Sequence, residues 1–201
     1  MKLYSSGTSP YVRKVIVTLH ETGQFEDVEQ IPSSGTPLAP ADKLPAVNPL
    51  GKVPALERPD GPALYDSRVI TQFLNARAGA ALYPQSRYFD ILTIEATADG
   101  ILDAALLMVY ESRLRPEDKQ FPDFVDAQWR KIIQALDVLN TRWVSHLVGP
   151  LDAGQIAVGC ALAYLDLRHD ARNWRQGRDG LAQWYADFAT RDSMLMSQPE
   201  G

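Results

Sequence analysis

A serine–proline pair at positions 9 and 10 constrains this chain more than any other feature. The opening stretch, Met1 to Val15, reads MKLYSSGTSPYVRKV. Lys2-Leu3-Tyr4 predicts a short strand and Ser5 to Thr8 a turn. Pro10 is preorganised for the first position of a helix, where its missing N–H would have had no partner. Ser9, directly before it, is a strong N-cap. Val12, Val15, Ile16 and Leu19 recur at the spacing of a helix packed on a sheet, and Gly23 closes that helix. Ser9 thus presents a hydroxyl at a helix N-terminus, where unpaired N–H groups and the helix dipole favour an anion. Two jobs are open to it. One is a simple cap, worth about 1 kcal/mol. The other is donation of a hydrogen bond to a bound anion.

Phe25 to Ile31, with Val28 and Ile31, predicts a second strand. Pro32, Pro37, Pro40 and Pro45 then leave room only for a short irregular helix before Val47. Asn48-Pro49-Leu50-Gly51-Lys52-Val53-Pro54-Ala55-Leu56-Glu57 is a turn running into a strand with Pro54 at its mouth. Proline cannot donate to a sheet ladder, so it marks a strand start or edge. A cis Val53–Pro54 bond would turn the Val53 N–H and C=O outward, toward a ligand. Pro59-Asp60-Gly61 makes a tight turn into Ala63-Leu64-Tyr65. Asp66-Ser67 follows, and Val69, Ile70, Phe73 and Leu74 continue at helical spacing, which places Asp66 or Ser67 at a second helix N-terminus. Two polar helix ends with a proline-turned strand between them suit a small ligand that carries carboxylates and an amine.

Beyond Arg77 the small residues Ala78 to Leu82, with Tyr83 and Pro84, form a linker, and the remainder reads helical. Asp90 to Arg113 carries one apolar stripe through Ile91, Ile94, Ala98, Ile101, Leu102, Ala105, Leu106 and Val109. Ala127 to Leu147 carries another through Ile132, Ile133, Leu136, Leu139 and Trp143, with Pro116 and Pro122 breaking the chain between them. Asp152-Ala153-Gly154-Gln155 fits a capping box ahead of a core helix through Leu162, Leu165 and Leu167. Leu181 to Phe188 is read as the last helix. The pattern is α/β followed by all-α, with domains at 1–78 and 85–201.

Charge and cysteine use exclude several functions. A net charge of −5 without basic blocks argues against nucleic acid. No apolar run approaches the roughly eighteen residues needed to cross a membrane. The chain starts into a strand without a signal pattern, and its single cysteine leaves no internal disulfide, so a reducing cytoplasm is expected. Cys160 lies in an apolar run and reads as core. His20, His146 and His169 lack metal-ligand spacing, so no metal is expected.

The order SPYVRKV, then NPLGKVPAL, then YDS ahead of a helix resembles the N-terminal, thioredoxin-like domain of the cytosolic glutathione S-transferases. It is most similar to bacterial members with Ser-Pro where glutaredoxins and omega-type enzymes carry Cys-Pro. The resemblance extends over essentially the whole chain. It implies a thioredoxin-like domain followed by a helical-bundle domain that completes an electrophile pocket. It further implies that Ser9 acts on the glutathione sulfur, that Val53-Pro54 holds the cysteinyl part, and that Asp66-Ser67 holds the γ-glutamyl group. Lys52 is then a partner for the glycyl carboxylate. Many serine-type members place the active serine two residues before the proline, which is Thr8 here, so Thr8 stays open beside Ser9. Tyr11, Tyr110 and Arg113 are candidates for contacts to a small hydrophobic electrophile. The resemblance implies a homodimer in which an acid at the place of Asp99 reaches the γ-glutamyl amine in the partner subunit; a solvated or interface acid is the alternative for Asp99. The activity implied is transfer of glutathione; a glutathione-dependent disulfide reductase and a non-catalytic glutathione-binding protein are the alternatives.

Overall fold

Leu3 and Tyr4 are adjacent in sequence and point to opposite faces of a sheet, and that alternation organises the first part of the protein. The structure is a computed structural model that describes residues 1–39 and 41–199. Pro40, read above as one of the helix-breaking prolines, lies outside the described residues, as do the last two residues of the expected helical domain. Strand β1 (Lys2–Ser5) leads into α1 (Pro10–Glu21), and β2 (Glu29–Pro32) returns parallel to β1. After α2 (Leu44–Val47), β3 (Ala55–Arg58) pairs antiparallel with β1, and β4 (Gly61–Leu64) antiparallel with β3. Among the described residues the sheet therefore runs β2-β1-β3-β4. Helix α3 (Ser67–Ala78) follows, closed by Gly79 at a φ of 60°.

One face of the sheet packs Leu3 and Leu56 against Val15 and Leu19 of α1 and Ile70 and Leu74 of α3. The other face packs Tyr4 and Ala55 against Leu44, with Val47 and Val53 at its margin. Residues 25–27 depart from the expected strand. Gly23, at a φ of 67°, turns the chain sharply at the end of α1. Phe25 then stacks on the His20 ring at a centroid distance of 4.1 Å. Held there, it belongs to a 3₁₀ turn, and pairing with β1 begins only at Glu29.

Met1–Pro84 and the segment from Asp192 onward form one compact unit, and Gln85–Arg191 the other. A short helix unread in the sequence, α9 (Asp192–Met196), packs on α1. The Arg13 guanidinium donates to the Met194 carbonyl at 3.0 Å, and the Ser193 hydroxyl donates to the Glu21 carboxylate.

The second unit is built on α4 (Tyr88–Leu114) and α7 (Ala153–His169), which pack along their lengths. Helix α5 (Pro122–Val138) starts earlier than the apolar stripe suggested. Pro122 occupies its first turn, where a missing N–H costs nothing, so this proline begins the helix. A π-helical turn, Leu139–Trp143, carries it into α6 (Val144–Leu147), and α8 (Asp179–Phe188) completes the unit. Every residue of α7 from Ala153 to Leu165 is buried, Cys160 included. At Gly159 a Cβ would collide with the Phe188 ring, so glycine is what lets α8 approach.

The α7 cap combines an expected half and an unexpected one. The fully buried Asp152 accepts the Gln155 backbone N–H at 3.1 Å, as a capping box requires. The Gln155 side chain does not reach back; it donates to the Gly149 and Pro150 carbonyls at 3.2 and 2.8 Å. The other Asp152 oxygen accepts a hydrogen bond from His146 Nε2 at 2.9 Å, and the Arg87 guanidinium lies 3.8 Å away. Asp152→Ala removes the cap and leaves a buried imidazole N–H without an acceptor. Its expected cost in urea unfolding is about 2 kcal/mol, of which Asp152→Ser, still a good cap, recovers about half.

Candidate functional site

Strand direction gathers the sequence motifs. Tyr4 pairs with Ala55, so the C-terminal end of β1 meets the N-terminal end of β3. Leu56 pairs with Leu64, so β4 leaves the sheet at that same end. The loop to Ser9, the Val53–Pro54 pair and the entry to α3 at Asp66 therefore share one end of the sheet.

At that end Ser9 caps α1. Its backbone is extended, at φ −78° and ψ 120°, and its Oγ accepts the Val12 N–H at 3.3 Å. That bond uses an oxygen lone pair and leaves the hydroxyl proton for a second partner. Thr8 is exposed in the preceding turn and Tyr11 is half-buried in the first turn of α1. The next turn is held by the buried Asn48. Its side chain donates to the Lys52 carbonyl at 2.8 Å and accepts the Leu50 N–H at 3.0 Å, while Gly51 takes a φ of 61°. This staple presents the exposed Lys52 ahead of the strand. The Val53–Pro54 peptide is cis, as the proline at the strand mouth suggested. Tyr65–Asp66 is cis as well.

Asp66 caps α3. Oδ1 accepts the Arg68 N–H and Oδ2 the Arg68 guanidinium, each at 3.0 Å. Burial pushes the Asp66 carboxyl up, but Arg68, with Lys14 adding to it, outweighs that and holds the carboxyl below its ordinary range. It is an anion at neutral pH. Ser67, the first residue of α3, is buried behind it. Lys14 is a member of this constellation that sequence reasoning missed. Only 1% of it is exposed, one turn beyond the start of α1. The signal was its place between Val12 and Val15 on the inward face, where a lysine is out of character.

The second unit holds Tyr110 and Arg113 near the end of α4. Burial raises the Tyr110 phenol above its ordinary value. Tyr164 of α7 sits beside them and was also missed. Burial raises its phenol most, Arg168 and Arg113 pull it down, and Tyr110 pushes it up. Asp99, open above between a contact to a partner and a solvated or interface acid, is 6% exposed within α4, so it is not a solvated acid. Among the described residues no group of three or more His, Cys, Asp or Glu is placed to hold a metal ion, and no helix is long and apolar enough to cross a membrane.

Comparison with known proteins gives a consistent picture. Residues 8–77 match the glutathione S-transferase N-terminal domain and residues 122–187 the C-terminal domain. An uncharacterized GST-like protein of Escherichia coli K12 is 33% identical over 205 residues, covering 99% of this chain and 98% of that protein. A glutathione transferase family member from Pseudomonas fluorescens Pf-5, solved with bound glutathione, is 44% identical with a TM-score of 0.97, over 100% of this chain and 99% of that one. The same family member with bound S-(propanoic acid)-glutathione aligns at 43% identity and a TM-score of 0.92, over the whole of both chains.

The cap at Asp66 separates shape from charge. Asp66→Ala is expected to lower the unfolding free energy by about 1 kcal/mol. Asp66→Asn, an equally good cap, should stay within about 0.5 kcal/mol of the unaltered protein. Thermal melts of the two variants side by side check both values.

Proposed function

This chain belongs to the glutathione S-transferase family, and we propose that it binds glutathione at the β1–β3 end of its sheet and stabilises the bound thiolate for attack on an electrophilic small molecule. The observation that carries this reading is the convergence there of two capped helix N-termini, the Val53–Pro54 strand mouth and a lysine-bearing turn. In this reading Asp66 and Ser67 take the γ-glutamyl amine and carboxylate, and Lys14 adds positive potential beneath them. Val53 offers its backbone to the cysteinyl part, with Pro54 fixing the turn, and Lys52 pairs with the glycyl carboxylate. Residues 1–78 form the glutathione-binding domain. Tyr11 in this domain, and Tyr110 and Arg113 in the helical domain, are the candidates for contacts to the electrophile. A relative holding glutathione with a propanoic acid on its sulfur supports carbon–sulfur conjugation over disulfide exchange. The reading carries with it a homodimer in a reducing cytoplasm.

The energetics are modest. A free thiol has a pKa of about 8.5, so thiolate is a minor form at neutral pH. Lowering that value by about two units needs about 2.7 kcal/mol. A hydrogen bond to a charged group contributes about 1.5–3 kcal/mol, and a helix N-terminus about 0.3–1 kcal/mol. Ser9 on the end of α1 supplies both. Because the hydroxyl stabilises the anion and need not remove its proton, no general base is required.

Two substitutions test the roles. Ser9→Asp keeps the cap, since Asp and Ser are equivalent there, but has no proton to donate and repels a thiolate. It should retain near-native stability while the pKa of bound glutathione rises, read from ultraviolet absorbance of the thiolate against pH. Thr8→Val should leave that titration in place; the reverse pattern makes Thr8 the catalytic residue. Asp66→Asn should weaken glutathione about tenfold in calorimetry, because an ion pair becomes a neutral hydrogen bond.

A further inference from the structure

Helix α9 and the residues after it hold α1 at two places. Near the start of α1 the Arg13 guanidinium grips this segment with two prongs, Nη2 donating to the Met194 carbonyl at 3.0 Å and Nε to the Ser197 hydroxyl at 3.3 Å. At the far end of α1 the Ser193 hydroxyl donates to the Glu21 carboxylate. Ser193 and Met194 are both buried, so the segment is docked and does not merely lie on the surface. No carboxylate pairs with Arg13 among the described residues, and both of its acceptors are neutral. Arg13 also closes the first turn of α1, because its backbone N–H donates to the Ser9 carbonyl at 3.0 Å. The cap bond from the Val12 N–H to Ser9 Oγ is longer, at 3.3 Å, and Gly7 and Thr8 ahead of it are exposed. First turns fray, since their N–H groups lack partners within the helix. A long helical side chain lies over the turn N-terminal to its own Cα. For Arg13 that is the turn Ser9 opens.

We propose that Arg13 is a positioning residue for Ser9: held by Met194 and Ser197, it fixes the first turn of α1 and with it the direction in which the Ser9 hydroxyl donates. The proposal rests on the glutathione reading above, in which that hydroxyl stabilises the bound thiolate, and it makes the C-terminal segment part of the control of the reaction. Every group it uses belongs to the unit of Met1–Pro84 and the segment from Asp192 onward. A hydrogen bond weakens steeply once its angle falls below about 120°. A loosened first turn therefore costs thiolate before it costs binding of glutathione, whose other groups are held elsewhere in that reading.

The test reads the pKa of bound glutathione in the full chain, from the ultraviolet absorbance of the thiolate against pH, with thermal melts alongside. Arg13→Met should raise that pKa by about one unit, an about tenfold change in the ratio of thiolate to thiol. Arg13→Lys keeps the charge but not the planar fork, and should show most of the same rise. Ser197→Ala removes one of the two acceptors and should raise the pKa by about half a unit. Ser193→Ala undoes the contact at the other end of α1, about 18 Å from Ser9 at about 1.5 Å per residue. It should lower the melting temperature without moving the pKa. An unmoved pKa in Arg13→Met with glutathione still bound overturns this inference alone. So does full restoration by Arg13→Lys, which would make Arg13 a charge and not an anchor. An equal rise in Ser193→Ala overturns it too, because the docking of α9 as a whole would then hold the turn. Where Arg13→Met fails to fold, Ser197→Ala decides, and an unmoved pKa there is the overturning result. Failure of the unaltered chain to bind glutathione, or an ordinary thiol pKa of about 8.5 in the bound form, overturns the glutathione reading and this inference with it.

Discussion

The antiparallel pairing of β3 with β1 is the contact on which the site depends. Helix α1 carries the chain back so that β2 runs parallel to β1, a crossover that a short loop cannot make. Beside β1 on its other edge, β3 runs the opposite way, and only this brings Pro54 alongside the loop that leads to Ser9. A parallel β3 of the same four residues would carry Pro54 to the far end of the sheet, roughly 13 Å away at about 3.3 Å per residue. The hydrophobic alternation enforces the register, because a slip of one residue would exchange Leu56 with Ala55 between a deep face and a shallow one. The groove of about 730 Å³ elsewhere on this unit, lined by Met1, Lys2, Glu29 and Arg58, lies toward the other end of these strands.

Ser9 and Asp66 occupy equivalent places at the starts of α1 and α3, and each is chemically divided. As caps both act as acceptors, Ser9 from Val12 and Asp66 from Arg68. Toward a ligand they differ. A hydroxyl keeps one proton to give, whereas a carboxylate held in its ionised form can only accept. In the proposed reading, the sulfur end and the amine end of a glutathione molecule call for those opposite properties. The same local fold thus supplies two electrostatic environments.

Much of this was legible in the sequence because it is local. Ser9-Pro10, Asn48 to Pro54 and Asp66-Ser67 each specify a short-range geometry, and the change from mixed strands and helices to helix alone follows from apolar spacing. What escaped depends on contacts between distant residues. Phe25 left the strand for His20, a stacking that no window of β-propensity contains. Pro122 looked like a breaker because a proline begins a helix as readily as it ends one. Helix α9 is too short for any periodic signal and exists through its contacts with α1. Asp99 stood open between a partner contact and a solvated or interface acid, the spacing of Lys14 alone hinted at burial, and only packing shows both side chains buried. Tyr164 and Arg168 were hidden because the helix bearing them was assigned wholly to the core.

The burial of α7 on every side over Ala153 to Leu165 has a consequence in time as well as in space. An amphipathic helix can form early and wait for its partner with its polar face in water. One without a polar face has nowhere to wait, so α7 and its neighbours must be acquired together. In the folded protein the same cooperativity works in reverse. No small opening exposes the middle of α7, and its amide protons exchange with solvent only when the whole helical unit comes apart. Deuterium uptake along this helix therefore reports the global stability of that unit, while the ends of α4 and α5 report only their own fraying.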